Sequence, residues 1–267
     1  MTVDGAVSLP TLRAPRRLAG LVLPLVLLAL WEIAARHGIL PRYLPPPSSV
    51  AVSFRGLLLS GDLPRHAAAS LFRALTGFII GAASGAAIGL LAGVAPRVER
   101  FYEPIISLTY PVPKIAALPI IFAWFGLGDP AKIVVIVASV FYPVYIASFY
   151  GAKATSRLHV WSAQNMGAGR LRIFAGIVVP SALPQLFYGL RIGLALSFVV
   201  MVTAELSAGR DGLGYLIASS EDGMRFDMMW AALVAIGILG FCADRLLLLV
   251  RRRVLVGQLL GTEGGDA

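Results

Sequence analysis

The sequence predicts an all-α protein, a polytopic membrane bundle of about six transmembrane helices with a short helix in a cytoplasmic loop. The composition is 58% hydrophobic and only 14% charged, with a mean hydropathy of +0.81. A soluble domain is about a quarter charged, so this chain has too few polar residues to cover a surface in water. Long apolar tracts also recur along most of its 267 residues.

Six apolar tracts approach or exceed the roughly 20 residues that a helix needs to cross a bilayer. We therefore expect one transmembrane domain over residues 18–254, between a cytoplasmic N-terminal tail of residues 1–17 and a cytoplasmic C-terminal tail of residues 255–267. The first tract lacks a small-x-small cleavage site, which favours an uncleaved span over a signal peptide. The tracts are residues 18–35, 67–94, 101–125, 132–150, 183–206 and 228–250.

The distribution of basic residues predicts the orientation. With a cytoplasmic N-terminus, the inside segments hold twelve Lys and Arg residues and the outside segments hold seven. Cytoplasmic loops carry the excess of basic residues, so both termini are predicted to lie in the cytoplasm. The segment Val50–Leu59 in the first outside loop is predicted to form a short helix.

Glycines recur every four residues in the second tract and predict close helix packing. Residues at this spacing form a slowly winding stripe on one side of a helix, and a stripe without side chains lets another helix approach closely within lipid. We interpret these residues as packing positions without a chemical role. They are Gly77, Gly81, Gly85, Gly89 and Gly93.

Prolines interrupt the third tract, so a regular helix is not expected through residues 101–125. Broken backbone at membrane depth is tolerated only when it is buried in protein or lines a wet cavity. Lys114 lies near the middle of this segment. A charge at this depth indicates a translocation pathway by default, and a lysine that snorkels to the interface or pairs within the bundle is an equally good interpretation.

The residue inventory argues against an enzyme and against nucleic-acid binding. The motifs HExxH, GxSxG and GxxxxGK[ST] are absent, and the three histidines share no metal-ligand spacing. The net charge of +9 is divided by apolar tracts and forms no continuous basic face. Cys242 is the only cysteine, which excludes a disulfide within the chain. Any ATP hydrolysis that drives this protein must occur on another polypeptide.

The loop between the fourth and fifth tracts, residues 151–182, has four basic residues and no acidic one. Within it, Leu158–Met166 is predicted to form a short helix, which Gly167 would end. This helix presents Val160, Trp161 and Met166 outside the membrane. Two interpretations remain open: the helix docks into the groove of a partner, or it lies on the membrane surface as an amphipathic helix.

The same loop resembles the EAA loop of ABC importer permeases. That pattern has E-A-A, three residues, Gly, nine residues and then I-x-L-P, and Ala163, Gly167, Ile177 and Pro180 occupy its positions here. Trp161 stands where the family has glutamate, and a serine follows it in place of the first alanine. The family's glutamate contact is therefore not expected in this chain.

Further segments resemble permeases of the nitrate, sulfonate and taurine importer group, and the resemblance extends over about residues 68–250. These segments are PKIAALP at 113–119, WFGLG at 124–128, GLR at 189–191, AE at 204–205 and GLGYLI at 212–217.

The resemblance implies a type I ABC importer in the bacterial inner membrane. Two permease copies, expected to form a homodimer in the lipid bilayer, would each dock the loop helix, then called the coupling helix, into an ABC ATPase subunit. ATP and Mg²⁺ would be bound by that ATPase, and no cofactor by this chain. A periplasmic or lipoprotein solute-binding protein would deliver the solute, and no nucleic acid is involved.

The resemblance and the charges together nominate two groups of site residues. The ATPase-coupling group contains Trp161, Ala163, Met166, Gly167 and Pro180. The translocation group contains Lys114, Arg191 and Glu205, and its two cations suit a small anion such as a sulfonate, nitrate or taurine. For Arg191 and Glu205, pairing with a neighbouring helix is the alternative interpretation. An ion-gradient-driven secondary transporter is the alternative function, and a membrane-embedded hydrolase is the third.

Overall fold

The computed structural model describes residues 16–263, with side chains described for residues 22–255. The predicted N-terminal tail at residues 1–17 lies almost wholly outside this part of the chain, whereas residues 255–263 of the predicted C-terminal tail 255–267 continue the last helix. Within it the fold is helical, without strands, in agreement with the predicted class. The helices are α1 (Arg16–Arg36), α2 (Pro47–Leu59), α3 (Asp62–Val94), α4 (Pro96–Thr109), α5 (Leu118–Phe125), α6 (Asp129–Lys153), α7 (Arg157–Asn165), α8 (Arg170–Ile173), α9 (Val179–Ala208), α10 (Leu213–Asp222) and α11 (Phe226–Glu263).

Four described helices are long and apolar enough to cross a membrane, namely α3, α6, α9 with the segment that precedes it, and α11. The bent pair of α4 and α5 adds a fifth candidate crossing if its two halves are counted as one span. The first predicted tract forms α1, a helix of 21 residues. Most predicted tracts therefore become helices whose ends differ from the prediction by a few residues. Helix α10 was not predicted, because its ten residues are too short to give a membrane-spanning pattern.

The glycine stripe of α3 faces α6. A methyl group on Gly81, Gly85 or Gly89 would lie 2.5–2.8 Å from a backbone carbonyl oxygen of α6. A methyl group on Gly77 would lie 2.5 Å from the Ile136 side chain, and one on Gly93 2.6 Å from Ala152 Cβ. These distances are shorter than any real carbon contact, so each glycine is required for the two helices to pack at this separation.

Helix α6 lies at the centre of the bundle, between α3 and α9. Its side chains Val135, Ile136, Val140 and Val144 are completely buried in one apolar cluster with residues of α3 and α9. β-Branched and apolar side chains suit this position because α6 is covered on more than one face. A smaller apolar cluster joins α2, α10 and α11 at one end of the bundle.

The third apolar tract is broken, as its prolines predict. Helix α4 ends at Thr109, a 3₁₀ turn covers Lys114–Ala117, and α5 then continues to Phe125. The two halves are bent by 82° relative to each other. No residue of α4 is buried, so this half-helix packs loosely against the rest of the chain.

The two ends of the bundle are distinct. Helix α7 follows the last residue of α6 and precedes α9, so it lies at the end where α3 finishes. The loop between α9 and α10 lies at the opposite end, beside the first turn of α6. We call these the α7 end and the opposite end.

Candidate functional site

Helix α7 presents apolar side chains away from the bundle. Leu158, Trp161 and Met166 are 70%, 59% and 78% exposed, whereas Ala163 is buried. Residues three apart lie on one face of a helix, so Leu158 and Trp161 form part of a continuous apolar surface. Exposed apolar surfaces of this kind mark sites of interaction with a protein partner or with the membrane surface, so both interpretations of α7 are consistent with this exposure. Of the predicted coupling residues, Trp161 and Met166 lie on the exposed side and Ala163 faces inward.

Gly167 ends α7 with a Schellman motif. Its φ is +79°, its amide donates to Gln164 O at 2.9 Å, and the Ala168 amide donates to Ala163 O at 2.9 Å. These two bonds satisfy carbonyls that the end of the helix would leave unpaired. Glycine is favoured because the left-handed conformation costs other L-residues roughly 1–2 kcal/mol. Gly167 thus fixes the direction in which the chain leaves the exposed surface of α7.

Pro180 lies in the first turn of α9, directly after a π-helical turn over Phe174–Val178. Because α8, the π turn and α9 form one continuous helical segment, Arg170–Ala208, Pro180 lies inside that segment, where a proline removes one amide donor from the helix. Single π-turns are frequent at functional sites. The structure therefore places Pro180 at the junction between the α7 loop and the long span α9, away from the apolar surface of α7.

Lys114 lies at the break between α4 and α5, where its ammonium group caps α4. Nζ donates to the backbone oxygens of Thr109 and Tyr110 at 3.0 and 2.6 Å. It also lies 4.0 Å from the ring centroid of Tyr142, in cation–π geometry. A cation is favoured at the C-terminus of a helix, where carbonyls are unpaired. Among the described residues, no carboxylate lies within 4 Å of this ammonium group, which keeps its charge available to an anion.

Arg191 pairs with Asp244 across α9 and α11. Its Nε lies 2.7 Å from Asp244 Oδ1, and a second bond of 3.2 Å joins NH2 to Oδ2. Both residues line a cavity of about 330 Å³ together with Leu194, Phe198 and Gly240. The arginine side chain is still half exposed. The structure therefore supports both interpretations of Arg191, as a cavity residue and as the partner of a neighbouring helix.

Glu205 is buried at the opposite end of the bundle. Its carboxylate accepts hydrogen bonds from Ser70 Oγ at 2.8 Å, from Arg73 NH1 at 2.7 Å and from the Gly214 amide at 2.9 Å. Its side chain has no exposed surface. In this conformation it faces no pathway, so pairing with a neighbouring helix, the alternative interpretation, describes this residue.

Arg73 is the centre of the cluster that contains Glu205. This guanidinium group lies 2.6 Å from Asp129 of α6 and also pairs with Asp211, in the loop between α9 and α10. Arg73 also donates to the backbone oxygen of Asp211 at 3.2 Å. One buried side chain of α3 thus joins α6, α9 and the loop. The adjacent Arg73 guanidinium holds the pKa of the Asp211 carboxyl below its ordinary value.

The sequence interpretation missed Arg73, Lys132, Asp129, Asp211 and Asp244. A signal was available for Arg73, because it is a charge within the apolar tract 67–94, where a charge is costly unless it is paired. Lys132 is 2% exposed and lies beside the same cluster. The acidic partners lie far apart in sequence, so their meeting could not be inferred from spacing. Among the described residues, no three His, Cys, Asp or Glu side chains are grouped to hold a metal ion.

Three features of the chain occur together: spans that pack through glycines, a broken span with a cation at its break, and an exposed apolar helix between spans. Together they indicate a multi-pass membrane transport protein. Residues 85–256 match the family described as "Binding-protein-dependent transport system inner membrane component". The chain belongs to this family, and it is an ABC importer permease of the inner membrane. The ion-gradient-driven alternative and the hydrolase alternative are therefore wrong.

Curated relatives cover most of the chain. It is 32% identical over 237 residues to the taurine transport system permease protein TauC of Escherichia coli (strain K12), covering 87% of this chain and 86% of the relative. It is 31% identical over 237 residues to a protein named as the aliphatic sulfonates transport permease SsuC of Bacillus subtilis (strain 168), covering 88% and 86%. A chain of the MetNI methionine ABC transporter, in an inward-facing crystal form, shares the fold. That match has a TM-score of 0.59 at 20% identity and covers 70% of this chain and 93% of the other.

Proposed function

We propose that this chain is the permease subunit of an ATP-driven importer for small organic sulfonates, of the taurine or alkanesulfonate type. The relatives named as taurine and aliphatic sulfonate permeases support this solute class. ATP hydrolysis takes place on a separate ATPase subunit, and a solute-binding protein delivers the solute. The family description, which names binding-protein-dependent transport, supports the second partner.

The observation that carries this function is the exposed apolar surface of α7. Leu158, Trp161 and Met166 are largely exposed outside the membrane spans, and a partner's groove would remove their apolar area from water. We assign the ATPase to this surface and place the α7 end, with both termini, in the cytoplasm. The solute-binding protein then docks at the opposite end. Two copies of the chain form the membrane unit, each carrying one α7.

Lys114 is the residue assigned to the solute. It lies at a break in a membrane span, where its ammonium group has no carboxylate within 4 Å among the described residues. A sulfonate carries a full negative charge, and an ammonium group whose charge no carboxylate neutralises attracts it in a low-dielectric site. Arg191, which is already paired with Asp244, contributes less net charge. This ranking predicts that Lys114 has the larger effect on uptake.

The experiment is ATP-driven uptake of labelled taurine into proteoliposomes that contain the chain with its ATPase and binding protein. Trp161→Ser should reduce uptake at least tenfold and weaken co-purification of the ATPase. Trp124→Ser is the matched control, because Trp124 is 77% exposed on α5, outside the α7 loop. Lys114→Met should lower uptake while leaving the ATPase attached, and Lys114→Arg should retain most of the uptake.

Specific results would contradict these assignments. Uptake that proceeds without the ATPase would refute the ATP-driven mechanism, and normal uptake by Trp161→Ser would refute docking through α7. If neither taurine nor an alkanesulfonate is transported while the complex hydrolyses ATP, the solute class is wrong and the permease assignment stands. Equal stoichiometry of permease and ATPase in native mass spectrometry, with two copies of each, would support the homodimer.

A further inference from the structure

A cavity of about 790 Å³ lies at the α7 end, separate from the exposed apolar surface of α7 and from Lys114. Its walls come from the last turn of α3, the first turn of α4, the last turn of α6, the inner side of α7 and the start of α8. The sequence interpretation assigned no role to these residues as a group. The cavity is large enough for a phospholipid headgroup and its glycerol.

The cavity is strongly basic. Four cationic side chains line it, Arg97, Lys153, Arg157 and Arg170, with Glu99 as the one acidic residue on its wall. Lys153 Nζ lies 2.5 Å from Glu99 Oε1, so these two charges neutralise each other. Among the described residues, the three arginines have no carboxylate within 4 Å. A net excess of about three positive charges converges on one space, which an anion would neutralise.

Other features of the cavity suit an amphiphilic anion. Val94, Val160, Ile173, Phe174 and Val178 form an apolar wall opposite the arginines. The Thr155 hydroxyl also lines the cavity and is buried without a hydrogen-bond partner. A buried hydroxyl normally has a partner, and an unpaired one indicates a missing ligand or water. A free inorganic anion would use the arginines and the hydroxyl but would leave the apolar wall uncovered.

The position of the cavity relative to the membrane indicates the class of ligand. Its wall contains Val94 and Lys153, the last residues of two membrane spans, so it lies where lipid headgroups meet the protein. Basic pockets between membrane helices at this depth suit the headgroups of anionic lipids. We propose that this cavity binds one anionic phospholipid, with its phosphate at Arg97, Arg157 and Arg170 and its glycerol and first methylenes on the apolar wall. The lipid then joins α4 to the α7 loop.

The test measures retention of phosphatidylglycerol by native mass spectrometry on the full-length chain, purified with the subunits that accompany it. Arg97→Gln with Arg170→Gln removes two of the three unpaired charges and leaves α7 itself unchanged. Each charge near a membrane surface changes lipid affinity about fivefold, so the pair should weaken binding about 25-fold. The matched control is Arg252→Gln with Arg253→Gln, because these exposed residues of α11 lie at the same end and outside the cavity.

Retention by the wild type and the control, with loss in the Arg97 and Arg170 variant, supports the site. Thr155→Val, which removes only the hydroxyl, should weaken retention severalfold and provides the test if the double variant does not fold. Equal loss in both double variants would show a general basic surface and overturn the proposal. Displacement by millimolar inorganic phosphate would identify a free-anion site and overturn it. If no lipid is retained because an acidic segment of the ATPase fills the cavity, the proposal is also overturned.

Discussion

Replacing Arg73 by methionine would remove the cation that holds four elements together at the opposite end. Arg73 is 2% exposed and pairs with Glu205, Asp129 and Asp211. Methionine has a similar length and no charge, so the change removes the ion pairs with little loss of volume. The three carboxylates would then repel one another around an apolar side chain, with Lys132 left as a cation that interacts electrostatically with all three.

The exposure of the three partners determines the magnitude. The side chains of Asp129 and Asp211 are 47% and 53% exposed, so water can solvate both, and their pairs are worth at most about 1 kcal/mol each. Glu205 has no exposed side-chain surface. A buried charge left without its partner costs about 3–5 kcal/mol. We therefore expect Arg73→Met to destabilise the protein by about 4 kcal/mol.

The assay is thermal unfolding of the purified protein in detergent, followed by the loss of the monodisperse peak in size-exclusion chromatography. A loss of this size corresponds to a lower Tm of about 10 °C for a chain of this length. Arg65→Met is the matched control on the same helix. The pair of Arg65 with Asp62 spans 3.8 Å and is largely exposed, so its loss should cost less than about 0.5 kcal/mol. Arg73→Met with Glu205→Gln should recover about half of the loss, because the amide keeps the hydrogen bonds without the charge. Equal Tm values for the two arginine variants would refute the reasoning.

Three other variants test single features of the structure. Gly167→Val should lower transport and ATPase association, because a β-branched residue is strained at φ +79°. Gly167→Asn should retain both, because asparagine tolerates this conformation. Equal effects of the two variants would show that the backbone conformation of Gly167 has no role. The pKa of Asp211 is lowered beside Arg73, so this ion pair contributes stability at neutral pH that is lost as pH falls below about 4. The Tm of the wild type should therefore fall between pH 5 and pH 3, and the Tm of Asp211→Asn should fall less over the same range. Gly85→Ala should lower the free energy of unfolding by about 1–3 kcal/mol, because the added methyl group would lie 2.6 Å from Phe141 O. Gly237→Ala is the control, since nothing lies within 4 Å of the added methyl group, and it should be neutral or stabilising by up to about 1 kcal/mol. Equal Tm changes in the two variants would contradict the close packing of α3 on α6.

Features determined by local chemistry could be predicted from the sequence. The length of an apolar tract predicts a span, and the prolines of residues 101–125 predicted the break that the structure shows as a bend of 82°. The position of Gly167 predicted the end of α7, because a left-handed residue after a helix is a local requirement.

Features that depend on contacts between distant residues could not be predicted. Arg73 meets Glu205 and Asp129 across 132 and 56 residues of sequence, and no spacing rule links them. The charge of Arg191 was visible in the sequence, whereas its partner Asp244, 53 residues away, was not. The capping of α4 by Lys114 depends on the bend itself, which places the ammonium group over the carbonyls of Thr109 and Tyr110. In each case the sequence shows a charge at an unusual position, and the tertiary structure determines which group pairs with that charge.

The distribution of contacts divides the bundle into a rigid part and a loosely held part. Helices α3, α6 and α9 are joined by the glycine stripe, by a dry apolar core and by the Arg73 cluster. Interdigitated helices of this kind move as one body, because a small separation would lose many contacts at once. Helix α4 has no buried residue and is attached to α6 by the ion pair of Glu99 with Lys153, at the α7 end. Since α7 is continuous with α6 and α9 through short connections, a force applied to α7 reaches the rigid part first. The break itself stays in contact with the rigid part, because Lys114 lies over the Tyr142 ring of α6 and Leu118 is buried in the apolar core, so the loosely held segment is α4.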